Sequence, residues 1–254
     1  IWWAQEIQKQ IDDMAVHGIK FAGLMVDSIF SSDGVLPGPQ GFLKPALDVV
    51  HANGGIFIAD EVQPGFARTG ESFWGFGRHG IVPDVVTLGK PMGNGIPVSG
   101  LLAKADVLAA FSDDIPYFNT FGGNPVSMAA AQAVLQVIRE EKLQEHSLRV
   151  GELLRNELAL LADRHPNVGD VRGAGLFTGF ELVSNRESKT PDKALALDVI
   201  ERLRAERVLT SVAGPYGNVL KLRPPMAFQT EDIDWLVGSL DKVLMACTAN
   251  KRQS

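Results

Sequence analysis

One cysteine in 254 residues, Cys247, excludes an internal disulfide and any Cys-rich metal site. No stretch approaches the ~18 consecutive apolar residues of a membrane-spanning helix, and no signal-peptide pattern is present. Basic charge is short: 24 Lys and Arg stand against 30 Asp and Glu, a formal net charge of −6. That balance argues against nucleic acid or an anionic membrane as the main partner, although a local site can oppose the global charge. His51, His79, His146 and His165 lack metal-ligand spacing, so no metal is expected. Gly89-Lys90-Pro91 lacks the G-x-x-x-x-G-K-[ST] frame of a phosphate-binding loop. There is no internal repeat and no low-complexity tract. The single cysteine fits a reducing compartment, and the cytoplasm is the expected location. The first residue is Ile1, not Met, so the expectation is a part of a longer chain.

What is present is the composition of an ordinary globular protein, 45% hydrophobic and 21% charged. The length suits one large domain or two modest ones. Residues 4–17 place Ile7, Ile11, Met14 and Ala15 on one helical face, with Gly18 as the stop. Apolar strands are expected at 20–27, 56–59, 84–88 and 98–103. Between them lie an amphipathic helix at 40–52 and a short helical turn at 71–78 carrying Phe73, Trp74 and Phe76. Strands alternating with helices, each strand nearly all apolar, indicate an α/β architecture with a mainly parallel, doubly covered sheet. Helices are then expected at 126–141, 143–164, 193–205 and 230–247. A strand at 176–183 and two short ones near 207–212 and 219–223 complete a small α+β domain. The expected division is 1–140 and 141–254.

The chemistry concentrates between Asp60 and Lys90. The strand at 56–59 delivers Asp60 at its end; the strand at 84–88 delivers Gly89 and Lys90. Ends of parallel strands are where open α/β sheets bind ligands. Taken alone, Lys90 reads as a solvated strand-end lysine, and Asp60 and Glu61 as turn caps. Taken together, an acid and a lysine suit a pyridinium cofactor, which needs an acid at its ring nitrogen and a lysine for a Schiff base. Gln63, three residues beyond Asp60, is in place for a ring oxygen. Thr120 alone is a turn hydroxyl, Arg223 alone a surface arginine, and Arg68 and Thr69 fix the loop after Gln63. Trp74, Phe73 and Phe76 read as core.

D-E-V-Q-x-G-F-x-R-T-G from Asp60, P-D-x-x-x-x-G-K ending at Lys90, N-G-x-P from Asn94, and Thr120-Phe-Gly-Gly-Asn-Pro125 together resemble the class III aminotransferases. The resemblance runs from about residue 4 to 247. It implies fold type I, pyridoxal 5′-phosphate as cofactor, and the C-terminal portion of the whole enzyme: a large domain incomplete at its N-terminus plus the small domain. It implies that Lys90 forms the Schiff base and shuttles the substrate proton, that Asp60 pairs with the pyridine nitrogen, that Gln63 contacts the ring hydroxyl and that Val62 packs on a ring face. Thr120 would bind the cofactor phosphate of the partner's site in a homodimer, and Arg223 a substrate carboxylate or other anion. The implied reaction moves an amino group between an amino acid or amine and a 2-oxo acid. The wording of 89–95 and 117–125 resembles most the subgroup holding alanine–glyoxylate aminotransferase 2-like proteins and phospholyases, so phosphate elimination from an amine such as phosphoethanolamine is the alternative. A non-catalytic truncated module is the alternative of another class.

Three departures qualify the pattern. Ala67 replaces the usual glycine of G-F-G-R-T-G, a mild change if φ there is negative. Many ω-aminotransferases carry V-E-P-x-x-G-E where this chain has Val26-Asp-Ser-Ile-Phe-Ser-Ser32; with Ser32 in place of the gating glutamate, Arg223 is expected to stay cationic. The N-terminal part of the family pattern is absent, so the 254-residue chain alone is expected to bind the cofactor weakly or not at all.

Overall fold

The structure, a computed structural model, describes residues 2–251. Ile1 and residues 252–254, the outer ends of the two expected domains, lie outside the described residues. The described chain forms two compact units, one of residues 2–28, 38–67 and 72–142, the other of residues 29–37, 68–71 and 143–251.

The first unit contains α1 (Trp2–Val16), β1 (Gly23–Asp27), α2 (Lys44–Ala52), β2 (Ile56–Asp60) and β3 (Val85–Leu88). It continues with β4 (Gly100–Ala103), α3 (Ala105–Asp114) and α4 (Pro125–Glu140). Strand order is β1-β2-β3-β4, with β1, β2 and β3 parallel and β4 antiparallel to β3. The register sets Asp27 beside Asp60 and Asp60 beside Thr87. β2 alternates, with Phe57 and Ala59 buried, whereas Val85, Val86 and Leu88 of β3 are all buried. Helix α2 begins at Lys44 with Pro45 in its first turn and not at 40; residues 40–43 are turns. α1 and the end of α2 are joined by a reciprocal amide pair: Asn53 Nδ2 donates to Gln8 Oε1 (2.8 Å) and Gln8 Nε2 to Asn53 Oδ1 (3.3 Å). Asn124 caps α4, its Oδ1 accepting from Ser127 N at 3.0 Å, and Pro125 at the first helical position gives up a donor that would have had no partner.

The second unit contains α5 (Leu143–Arg164), β5 (Val168–Ala174), β6 (Phe177–Asn185), β7 (Thr190–Pro191) and α6 (Lys193–Ala205). β8 (Ser211–Ala213), β9 (Val219–Leu222) and α7 (Thr230–Lys251) follow. Its sheet is antiparallel, in the order β5-β6-β9-β8, with β7 on β6. Leu154, Leu158, Leu161, Leu182, Leu203 and Leu220 are fully buried between sheet and helices, each stabilising by roughly 1.5–3 kcal/mol. Two glycines set the approach of α5 to the β5–β6 turn. A Cβ at Gly151 would collide with the Gly175 carbonyl, and Gly175, at φ 51°, packs in turn against the main chain of Arg68 and Thr69. Among the described residues, no helix is long and apolar enough to cross a membrane.

Candidate active site

Asp60 ends β2 and Lys90 stands two residues past the end of β3, so parallel pairing brings both to one edge of the sheet. The Asp60 carboxylate is half-buried, and its Oδ1 accepts a hydrogen bond from Val62 N at 3.1 Å, a turn that fixes the acid at the strand end. Val62 in turn faces the other strand end: a Cβ at Gly89 would lie 3.8 Å from both Val62 Cγ2 and Ser99 Cβ. Gln63 is half-buried one residue further on. Lys90 opens a 3₁₀ helix, Lys90–Gly93, at φ 46°, a left-handed conformation that non-glycine residues seldom adopt, and its side chain is exposed. Strain of this kind costs of order 1–3 kcal/mol and concentrates at functional sites.

Two acids that the sequence offered only as caps or motif letters fix the two ends of these strands, Glu61 at the edge that carries Lys90 and Asp84 at the opposite one. Glu61 is fully buried. Its carboxylate accepts from Gly75 N (2.6 Å), Phe76 N (2.9 Å) and Ser28 Oγ (3.2 Å). Burial pushes its pKa up to about 7, against the pull of those three donors. Glu61 therefore ties Ser28 and the main chain at Gly75 and Phe76 to the end of β2, which accounts for the second acid of the pair. Asp84 precedes β3. Its carboxylate accepts from Phe57 N (2.7 Å) and Lys104 Nζ (2.7 Å) and pairs with His51 Nε2 (2.8 Å). It fastens β3 to β2, to the end of α2 and to the start of α3. Although burial opposes it, the hydrogen bond from Lys104, with those from Phe57 N and His51, holds the Asp84 pKa at about 2. The signal for this role was the P-D of P-D-x-x-x-x-G-K.

The loop after Gln63 corrects one expectation. Ala67 has φ 66° and Phe66 φ 57°, so the residue that replaces glycine sits in the left-handed region rather than at negative φ. A cluster of aromatic rings overcomes the strain: Phe66 packs against Phe73 and Trp74 with centroids 5.7 and 5.3 Å away, and Phe73 meets Trp74 edge-on at 4.6 Å.

Thr120 lies on an exposed loop with Tyr117, Phe118 and Phe121, which are 71%, 85% and 81% exposed. An open cleft of about 810 Å³ in the first unit is lined by Ser99, Tyr117, Asn119, Phe121, Asn124 and Ser127, among others. Lys90, Asp60 and Thr120 do not line it. The structure thus brings Asp60 and Val62 to the strand end beside Gly89 and Lys90, and carries Thr120 on an exposed loop.

Arg223 and Ser32 belong to the second unit. Arg223 follows β9 and lies over the ring of buried Phe177, its Cζ 5.9 Å from the centroid; Lys221 Nζ is 5.4 Å from the same ring. Ile29, Val35 and Phe177 form one small buried cluster, so the loop carrying Ser32 rests on the ring beneath Arg223. Arg172 fastens that loop: its Nη2 donates to Gly34 O (2.7 Å) and its Nε to Val35 O (2.9 Å), while Asp170 and Glu181 neutralise it.

The profile of the family described as Aminotransferase class-III matches residues 2–244. A mitochondrial alanine–glyoxylate aminotransferase 2 homolog 2 of Arabidopsis thaliana is 42% identical over 239 residues, 93% of this chain and 50% of that protein. An ethanolamine-phosphate phospho-lyase homolog 1 of Caenorhabditis elegans is 38% identical over 95% of this chain and 52% of its own length. Among solved structures, a phospholyase from Arthrobacter in complex with phosphoethanolamine superposes with a TM-score of 0.91 at 40% identity, covering 95% of this chain and 57% of that one. A Bacillus anthracis aminotransferase superposes with a TM-score of 0.86 at 30% identity, over 94% and 56%. The chain spans about half the length of the curated relatives it matches.

Proposed function

The chain belongs to the class III aminotransferases, fold-type I enzymes that use pyridoxal 5′-phosphate, and we propose that it carries the lysine-bearing part of an enzyme moving an amino group between an amino acid or amine and a 2-oxo acid. The observation that supports this reading best is the meeting of Asp60, Val62 and Lys90 at two parallel strand ends. On this reading residues 1–140 are the C-terminal part of the cofactor-binding domain and residues 141–254 the small domain.

The residues fit the cofactor. A half-buried carboxylate fixed by its own turn suits a protonated ring nitrogen, an aliphatic branch at Val62 suits a flat ring face, and a lysine at the next strand end reaches the same crevice. Bound pyridoxal phosphate supplies an aldehyde that accepts the amino group and a ring that stores the electron pair left when the substrate C–H bond breaks. Asp60 would keep the proton on the ring nitrogen. Gln63 would donate to the ring oxygen, and Val62 would pack on one face. Lys90 Nζ would hold the cofactor and move the proton at the substrate carbon. Arg223 binds the substrate's anionic group through its planar fork. Thr120 serves the phosphate in the site of a second subunit; exposed Tyr117, Phe118 and Phe121 around it support a homodimer. The cytoplasm is the proposed compartment.

Phosphate elimination from a phosphorylated amine is the second reading. The cationic face of Lys221 and Arg223 over Phe177, with Ser32 where ω-aminotransferases place a glutamate, favours it. Incubating the intact protein with the cofactor and either alanine plus glyoxylate or phosphoethanolamine decides. Pyruvate release identifies a transaminase, phosphate release a phospholyase, and Lys90→Ala abolishes both; turnover that survives Lys90→Ala refutes the assignment.

A further inference from the structure

We propose that Arg68 is a positioning residue for the oxyanion site at Arg223, holding the chain on which Arg223 is mounted and keeping a second guanidinium beside it. This rests on the reading of Arg223 as the substrate's anion contact. Arg68 stands in the R-T-G stretch that sequence reading gave to loop architecture. Its Nη1 donates to Pro224 O (2.7 Å), the carbonyl immediately after Arg223, and to Leu176 O (3.0 Å), immediately before the Phe177 ring under Arg223. The main chain locks Arg68 in return, since Leu176 N donates to Arg68 O at 3.1 Å and Gly175 packs on that same carbonyl. One guanidinium therefore ties together the segment that carries Arg223 and the ring that Arg223 covers.

The charge matters as well as the grip. Burial draws the Arg68 pKa down to about 10, with the Arg223 charge acting in the same direction. Two crowded guanidiniums raise the local potential, which an arriving carboxylate or phosphate relieves. Arg172 provides the contrast: it also grips main-chain carbonyls, yet Asp170 and Glu181 neutralise it, as suits a purely structural clamp. Lysine is a poor replacement for Arg68: both bonds leave one nitrogen, Nη1, but a compact, strongly hydrated ammonium is costlier to bury beside Arg223 than the delocalised guanidinium.

The test uses the intact cofactor-loaded protein with Arg68→Gln and Arg68→Lys, and reads KM and kcat for alanine and for phosphoethanolamine. Whichever substrate the enzyme turns over, we expect KM to rise about tenfold or more with kcat within about twofold, the mark of lost anion binding rather than lost chemistry. Inorganic phosphate and acetate, as competing anions, separate the two sources: the one matching the substrate's group loses affinity in both variants. The double variant Arg68→Gln/Arg223→Gln should be no worse than Arg223→Gln alone. Should Arg68→Gln fail to fold, Arg68→Lys carries the test with the same expected KM rise. Loss of kcat without a KM change, or effects that multiply in the double variant, would overturn the proposal. Failure of the proposed activity looks different: the unmutated protein turns over neither amine, and calorimetric titration with phosphate and acetate still reports whether Arg68 governs anion affinity.

Discussion

Asp84 is the anchor of the strand that delivers Lys90, and replacing it with asparagine should remove a defined part of the acid-dependent stability. Its carboxylate holds Phe57 N, Lys104 Nζ and His51 Nε2 at 2.7–2.8 Å. The folded-state pKa of about 2 lies below the unfolded value of 3.8. The stabilisation is thus complete above about pH 4 and is lost as pH falls toward 2. A difference of this size corresponds to roughly 2.4 kcal/mol. Because Lys104 and His51 are both more than 40% exposed, solvent screening reduces the expected effect to about 1–2 kcal/mol. Urea melts from pH 6 to pH 2 measure it. The wild-type midpoint should fall more steeply than that of Asp84→Asn below pH 4, and the two curves should converge near pH 2. Parallel curves across the range would refute the assignment of this network as the strand's anchor.

Glu61→Gln should flatten the stability profile at higher pH. The folded Glu61 pKa of about 7 is above the unfolded 4.5, so its contribution declines as pH rises between those values; a variant that keeps the wild-type slope from pH 5 to 7 would contradict this. Gly151→Ala should cost more than ~3 kcal/mol in thermal melts, since the added methyl meets Gly175 backbone that cannot swing away. Ala67→Gly should change stability by less than about 0.5 kcal/mol although the deleted methyl is fully buried: relief of the left-handed strain, ~1–2 kcal/mol, offsets the lost burial and added chain entropy.

Much of the fold was legible because its signals are local. Helices at 143–164 and 193–205 coincide with α5 and α6, whose apolar periodicity fills one core. The placing of Asp60 and Lys90 at neighbouring strand ends was legible because strands 56–59 and 84–88 end in charge. What escaped was non-local. α3 was overlooked because Leu108 and Phe111 are exposed and frame no core face. β5 was not read as a strand because Gly169 and Gly173 break its apolar pattern; both are there because β6 leaves no room for a side chain, at Val183 and at Phe177. The sign of φ at Ala67 depends on aromatic contacts that no spacing reveals. Glu61 passed for a cap because its three donors, Ser28, Gly75 and Phe76, come from distant segments. The grouping of 29–37 and 68–71 with 143–251 likewise depends on Arg172, Arg68 and Phe177 contacts made long after those residues in the chain.

The central claim is that Lys90 is the covalent attachment point for the cofactor. Incubating the intact protein with pyridoxal phosphate, reducing with borohydride, digesting and mapping the adduct by mass spectrometry tests it directly. The account predicts a single reduced adduct on the peptide containing Lys90, absent from Lys90→Ala and diminished in Asp60→Asn. An adduct on another lysine, or equal labelling of Lys90→Ala, would contradict it.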